Sequence, residues 1–223
     1  MDDRILSRRT LAGGVAAIGI GVAFRGFSVR QVDAAQATPA SPASGFAGCD
    51  PLALLPQVPA FTVISDDVHD GEQLPLPQMG GIFGAGGEDL SPQLSWSGFP
   101  PETKSFTVTM YDPQAATGSG FWHWAVADIP GDVTELPTGA GAPGDAKLPA
   151  GAFQLPNDAR LAQYAGSAPP PGEPPHHYYI VVTALDVATV DVPKDGTPEM
   201  LGFTIGPHTL ARAVIVPIAS RTA

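Results

Sequence analysis

The sequence predicts a single β-rich domain, and three observations carry that prediction. Glycine (26 residues) and proline (25) are abundant while only 15% of the 223 residues are charged, so many turns must connect short elements. Residues 105–111 alternate, with Phe106, Val108 and Met110 on one face and Ser105, Thr107, Thr109 and Tyr111 on the other, which is the period of a half-buried strand. Residues 121–129 and 178–185 are mostly apolar on both faces, the first run stopping at Pro130-Gly131, as strands covered from both sides do. A hydrophobic fraction of 43% supports one sizeable core at this length.

In chain order the first element is an address. Ser7-Arg8-Arg9-Thr10-Leu11 is a twin-arginine pair, followed over residues 11–24 by an apolar run broken only by small residues, including Gly13, Gly14, Gly19 and Gly21. That layout reads as a bacterial twin-arginine export signal. The run is shorter than the roughly 20 residues of a membrane span, and its glycines weaken it as a helix. Ala35-Gln36-Ala37 supplies a small-x-small cleavage site, so residues 1–37 are expected to be the export signal and the protein to act outside the cytoplasm, in the cell envelope or secreted. Residues 38–58, rich in Ala, Pro and Ser, read as a disordered or extended leader, and residues 59–223 as the domain. Cys49 is the only cysteine, which rules out an intrachain disulfide, and it stands too far from the apolar run for lipid attachment.

Within the domain, residues 61–64 form the first strand, closed by Ser65-Asp66-Asp67, and 76–89 form a Gly-rich loop with few anchors. The strand over 121–129 takes a central place in the sheet, and 178–185 is a third strand of the same kind. Residues 138–175 carry too much Gly, Pro and Ala for regular structure, and a loop that long is usually functional or disordered. Thr197-Pro198-Glu199 offers a cap, a proline for the first helical position and an acid for the first turn, predicting a short helix to about Gly202. Residues 208–213 are expected to form a second helix and the β-branched 214–216 a closing strand.

A formal charge of −11 with scattered Lys and Arg leaves no basic stripe for nucleic acid and no polybasic membrane anchor. Three histidines near strand signals are the natural start of a site. His123 shares a strand face with Phe121 and Ala125; the alternative reading is a core ring satisfied by a backbone carbonyl. His176 and Tyr178 repeat that spacing just after Pro169-Pro170-Pro171-Gly172, so two His-bearing strands flank one rigid loop. Asp112-Pro113 ends the alternating strand and leaves its carboxylate at the sheet rim. His69, among the carboxylates of 66–70, reads as part of a solvated loop.

Several of these segments in order resemble the phosphatidylethanolamine-binding protein family, in its bacterial Raf-kinase-inhibitor-like branch: Ser91-Pro92-Gln93-Leu94-Ser95-Trp96, Tyr111-Asp112-Pro113, Gly118-Ser119-Gly120-Phe121-Trp122-His123-Trp124, and Pro169-Pro170-Pro171-Gly172 leading to Pro175-His176-His177-Tyr178. The resemblance implies an all-β fold with minor α, two packed antiparallel sheets with short C-terminal helices. It also implies a shallow, non-catalytic pocket for phosphate-like anions or phosphoethanolamine-like head groups, lined by Asp112, His123, His176 and Tyr178, with Phe121 as an aromatic wall and Pro170 at the rim. His208 matches a family histidine read as structural. The departures are Gln114 for a second Asp, Ala116 for Pro, His177 for Arg and Ala168 for a frequent Cys.

Two other readings compete. Asp112, His123 and His176 would make a two-His-one-carboxylate metal set able to activate water, but no HExxH or GxSxG pattern accompanies them. No metal, cofactor or enzymatic activity is therefore expected. By family analogy the chain would instead inhibit a protein partner, an extracytoplasmic hydrolase being open to an exported protein; the same analogy extends to a homodimer that no residue pattern specifies.

Overall fold

The computed structural model describes residues 50–223; the export signal read over 1–37 and most of the leader read over 38–58 lie outside the described residues. Among the described residues the strands are β1 (Thr62–Ile64), β2 (Leu94–Ser97), β3 (Ser105–Asp112), β4 (Phe121–Pro130), β5 (Glu135–Leu136), β6 (Phe153–Gln154), β7 (His176–His177), β8 (Tyr179–Leu185), β9 (Thr209–Ile215) and β10 (Ile218–Ala219). One α-helix, α1 (Pro198–Ile205), and 3-10 turns at Pro51–Leu54, Leu76–Gln78 and Gly206–His208 complete the set. In the described part of the leader, Asp50 caps the Pro51–Leu54 turn through the Leu52 amide at 2.9 Å, and the Pro56 carbonyl accepts from Arg212 at 2.8 Å.

The main sheet runs β6-β4-β3-β8-β9, antiparallel throughout. A second antiparallel sheet joins β1, β2 and β5, and β7 pairs with β10 in a small third one. The expected packing of two sheets is present: Phe106, Val108 and Met110 of β3 meet Leu94 and Trp96 of β2 and Leu136 of β5 in one buried cluster, the Trp96 and Phe106 rings 5.4 Å apart. On the other face, Leu201 and Ile205 of α1 cover Ala125 and Ala127 of β4 together with Phe153, Leu155 and Leu185. Each large apolar side chain sealed this way contributes about 1.5–3 kcal/mol.

Several local expectations are corrected. The helix expected over 208–213 is strand β9, because Ala211 and Ala213 alternate into the core while β8 supplies the backbone partners; period-2 burial overrides alanine's helix propensity. The half-buried reading of β3 fails because β3, not β4, is the central strand. Its polar face is covered too, and Ser105 is accommodated by donating to the Val187 carbonyl at 2.6 Å. β4 is second from the edge, beside the two-residue β6. The loop over 76–89 is anchored after all, with Gln78 and Met79 buried, and α1 runs one turn past Gly202, to Ile205.

Candidate functional site

Antiparallel register gathers the site. Asp112, last in β3, faces Phe121, first in β4, and Tyr111 faces Tyr179 at the start of β8. One end of the main sheet therefore receives Asp112, Phe121, His123 and Tyr178, and the short β7 adds His176. Pro113 cannot donate a backbone hydrogen, so pairing stops there. The chain turns as Asp112 Oδ1 accepts the Gln114 amide at 2.8 Å. Tyr178 lies between β7 and β8, its amide donating to the Pro217 carbonyl at 2.9 Å. The strand expected over 178–185 is β8, starting one residue later, with Tyr178 at its junction with β7.

Asp112 and His176 form the polar centre. Asp112 is 3% exposed, and its Oδ2 lies 2.8 Å from His176 Nδ1. That hydrogen bond, with the negative charge of Asp112, pushes the His176 pKa up against the opposing effect of burial, and Glu173, 3.4 Å from Nε2, adds to the rise. The buried carboxylate therefore favours the protonated form of His176. His123 is the opposite case. Its Nδ1 sits 2.8 Å from the Ala165 carbonyl, and the Ala165 amide donates back to the His123 carbonyl at 3.0 Å. Complete burial lowers the His123 pKa, outweighing the carbonyl and Asp112. Both readings of His123 therefore hold at once: one nitrogen is satisfied by backbone and the ring still lines a cavity.

Tyr178 separates the two imidazoles, stacked on His176 at 6.5 Å and edge-on to His123 at 5.3 Å. Its hydroxyl is sealed from solvent with Asp112 and Ser167 as polar neighbours, and burial beside Asp112 raises its pKa. These groups form the polar end of a cavity of about 290 Å³. Phe121, Pro169 and Pro170 line its apolar part, together with Ala115, Ala116 and Ala168, and Pro170 stands on the exposed rim. All six residues expected from the sequence line this one cavity.

The sequence reading missed other parts. Phe83, from the Gly-rich loop, meets Phe121 edge-on at 5.7 Å; a lone aromatic in such a loop was the available clue. The departures Gln114 and His177 contact one another, Gln114 Oε1 accepting the His177 amide at 2.6 Å and lying 3.0 Å from its Nδ1. Among the described residues no group of three His, Cys, Asp or Glu is placed to hold a metal ion. His208 Nδ1 lies 2.9 Å from Asp186, far along the chain from these groups. A larger cavity of about 470 Å³, between α1 and the Pro51–Leu54 turn, is lined by side chains such as Trp122, Val181 and Phe203 and by no histidine.

Comparison with known proteins places this geometry. The family model described as phosphatidylethanolamine-binding protein matches residues 64–219. The UPF0098 protein YbcL of Escherichia coli is 44% identical over 162 residues, covering 73% of this chain and 88% of that protein. The UPF0098 protein YbhB of the same organism is 42% identical over 158 residues, covering 71% and 99%. The crystal structure of E. coli YbcL, described as a new member of the mammalian PEBP family, matches with a TM-score of 0.70 at 43% identity, over 72% of this chain and 98% of that one. With more than half its length matched and most of each relative covered, this chain belongs to the phosphatidylethanolamine-binding protein family.

Proposed function

We propose that the chain is an exported, non-catalytic binding protein whose cavity holds a small phosphate-like group, as inorganic phosphate or a phosphoethanolamine-like head group. One observation carries the reading: a buried His176–Asp112 ion pair lines the cavity together with a second imidazole, His123. The His176 imidazolium adds a charge-assisted donor. The net charge of −11 does not oppose this, because distant surface charges are screened over about 8 Å at physiological salt.

Asp112 acts through His176 in this reading: both its oxygens are engaged, by Gln114 and by His176. The non-catalytic assignment rests on the lining, which holds no Ser, Thr, Cys or Lys and whose one carboxylate, Asp112, has both oxygens engaged. Asp112→Asn is expected to weaken phosphoethanolamine binding at least about tenfold in calorimetry, since a neutral amide no longer holds His176 charged. Unchanged binding by that variant sinks the proposal.

Export rests on the twin arginines alone. A reporter fused to residues 1–37 is expected to leave the cytoplasm and to be retained when Arg8 and Arg9 are both replaced by lysine. Export that survives the double replacement removes the twin-arginine route.

A further inference from the structure

We propose that the cavity selects oxyanions that still carry a hydrogen, such as phosphate or a phosphomonoester as the monoanion, with His176 Nε2 donating to one oxygen and His123 Nε2 accepting the hydrogen of another. The inference rests on the phosphate-pocket reading above and narrows it. A carbonyl oxygen only accepts, so the hydrogen between His123 and Ala165, 2.8 Å apart, belongs to Nδ1 of the imidazole. The second ring nitrogen, Nε2, then presents a lone pair. No protein partner for it is found among the described residues, and it is not among the sealed, partnerless atoms there.

A hydrogen on both nitrogens would place a positive charge in a fully buried ring. The charged groups acting on that ring are Asp112 and Asp89, which favour protonation, and His176, which opposes it; burial is the largest influence and favours the neutral ring. Across Tyr178, His176 has the reverse polarity. Asp112 takes the hydrogen of Nδ1, and the imidazolium turns its other N–H toward Nε2's neighbour Glu173, a half-exposed carboxylate at 3.4 Å. An entering oxyanion competes with Glu173 for that hydrogen. The cavity thus offers one acceptor and one charged donor, with the Tyr178 ring packed between them.

Sulfate has nearly the shape and charge of phosphate but carries no hydrogen near neutral pH, and a phosphodiester likewise presents only acceptors. Either would set an oxygen lone pair against that of His123, and a site built to receive a hydrogen rejects an analogue that lacks it.

The test is an NMR titration of the protein at pH 6 with inorganic phosphate, methyl phosphate, sulfate and dimethyl phosphate. Phosphate and methyl phosphate are expected to bind at least about tenfold more tightly than sulfate and dimethyl phosphate. Long-range nitrogen–proton correlation should show His123 with its hydrogen on Nδ1. Equal binding of sulfate and phosphate, or a hydrogen on Nε2 of His123, overturns this selection and leaves the anion pocket standing. Failure of all four ions to bind overturns the pocket itself. His123→Gln, whose amide can donate, should bring sulfate to within about threefold of phosphate; because the first comparison uses the unaltered protein, misfolding of this variant does not remove the test.

Discussion

Gly166→Ala is expected to lower the melting temperature by roughly 6–12 °C, the shift that about 3 kcal/mol produces in a domain of this size. A Cβ built on Gly166 lies 2.3 Å from the carbonyl carbon and oxygen of Met79 and 2.6 Å from the Gly80 nitrogen. These are backbone atoms that cannot rotate away. The segments are tied here by a Met79–Ser167 bridge, by the Gly80 amide on the Ser167 carbonyl at 2.8 Å, and by the Gly166 amide on Asp89 at 2.8 Å. Relief requires separating them, which also moves the neighbouring Ala165 carbonyl that holds His123. Gly202→Ala is the control: nothing stands within 4 Å of its added Cβ inside α1, so helix propensity should raise stability by up to about 1 kcal/mol. Thermal denaturation of both variants checks the contrast, and a Gly166→Ala protein that melts with the wild type refutes the close approach.

His176→Ala should cost about 3–5 kcal/mol at acidic pH, because it leaves the Asp112 carboxylate buried without its cationic partner. The pH dependence has a definite sign. The folded-state pKa of His176 is raised above its ordinary value near 6.5, so its contribution is fully present below that value and declines as pH rises through the folded pKa. Urea unfolding at pH 5.5 and pH 9 should therefore give a larger gap between wild type and variant at the lower pH. His123, whose pKa is lowered by burial, acts in the opposite sense: its contribution is lost as pH falls below the unfolded value. It is present in both proteins and largely cancels from the gap. A gap that is the same at both pH values means His176 is not charged in the fold.

The candidate site was more legible than the fold around it. Asp112, Phe121, His123, Pro170, His176 and Tyr178 could be chosen because strand alternation, a proline stop and the order of several motifs point to them, and one cavity receives all six. Glu173 and Phe83 were missed because each lies in a Gly/Pro-rich loop, where no period tells which way a side chain points. The Ala165 carbonyl has no residue-type signature at all. The strand β9 was misread because Ala211 and Ala213 suit a helix locally, and only pairing with β8 makes the extended form preferable.

By itself the sequence determined the short-strand character of the domain, the residue types that line the cavity and the ends of the main strands, since turn chemistry and period-2 patterning are local properties of the chain. The tertiary structure decided which strand is central, and it set Nδ1 of His123 against the Ala165 carbonyl and Nδ1 of His176 against the Asp112 carboxylate. Those outcomes depend on partners 42 and 64 residues away along the chain, and the protonation of an imidazole is set by the charge, the carbonyl and the burial that meet it in space.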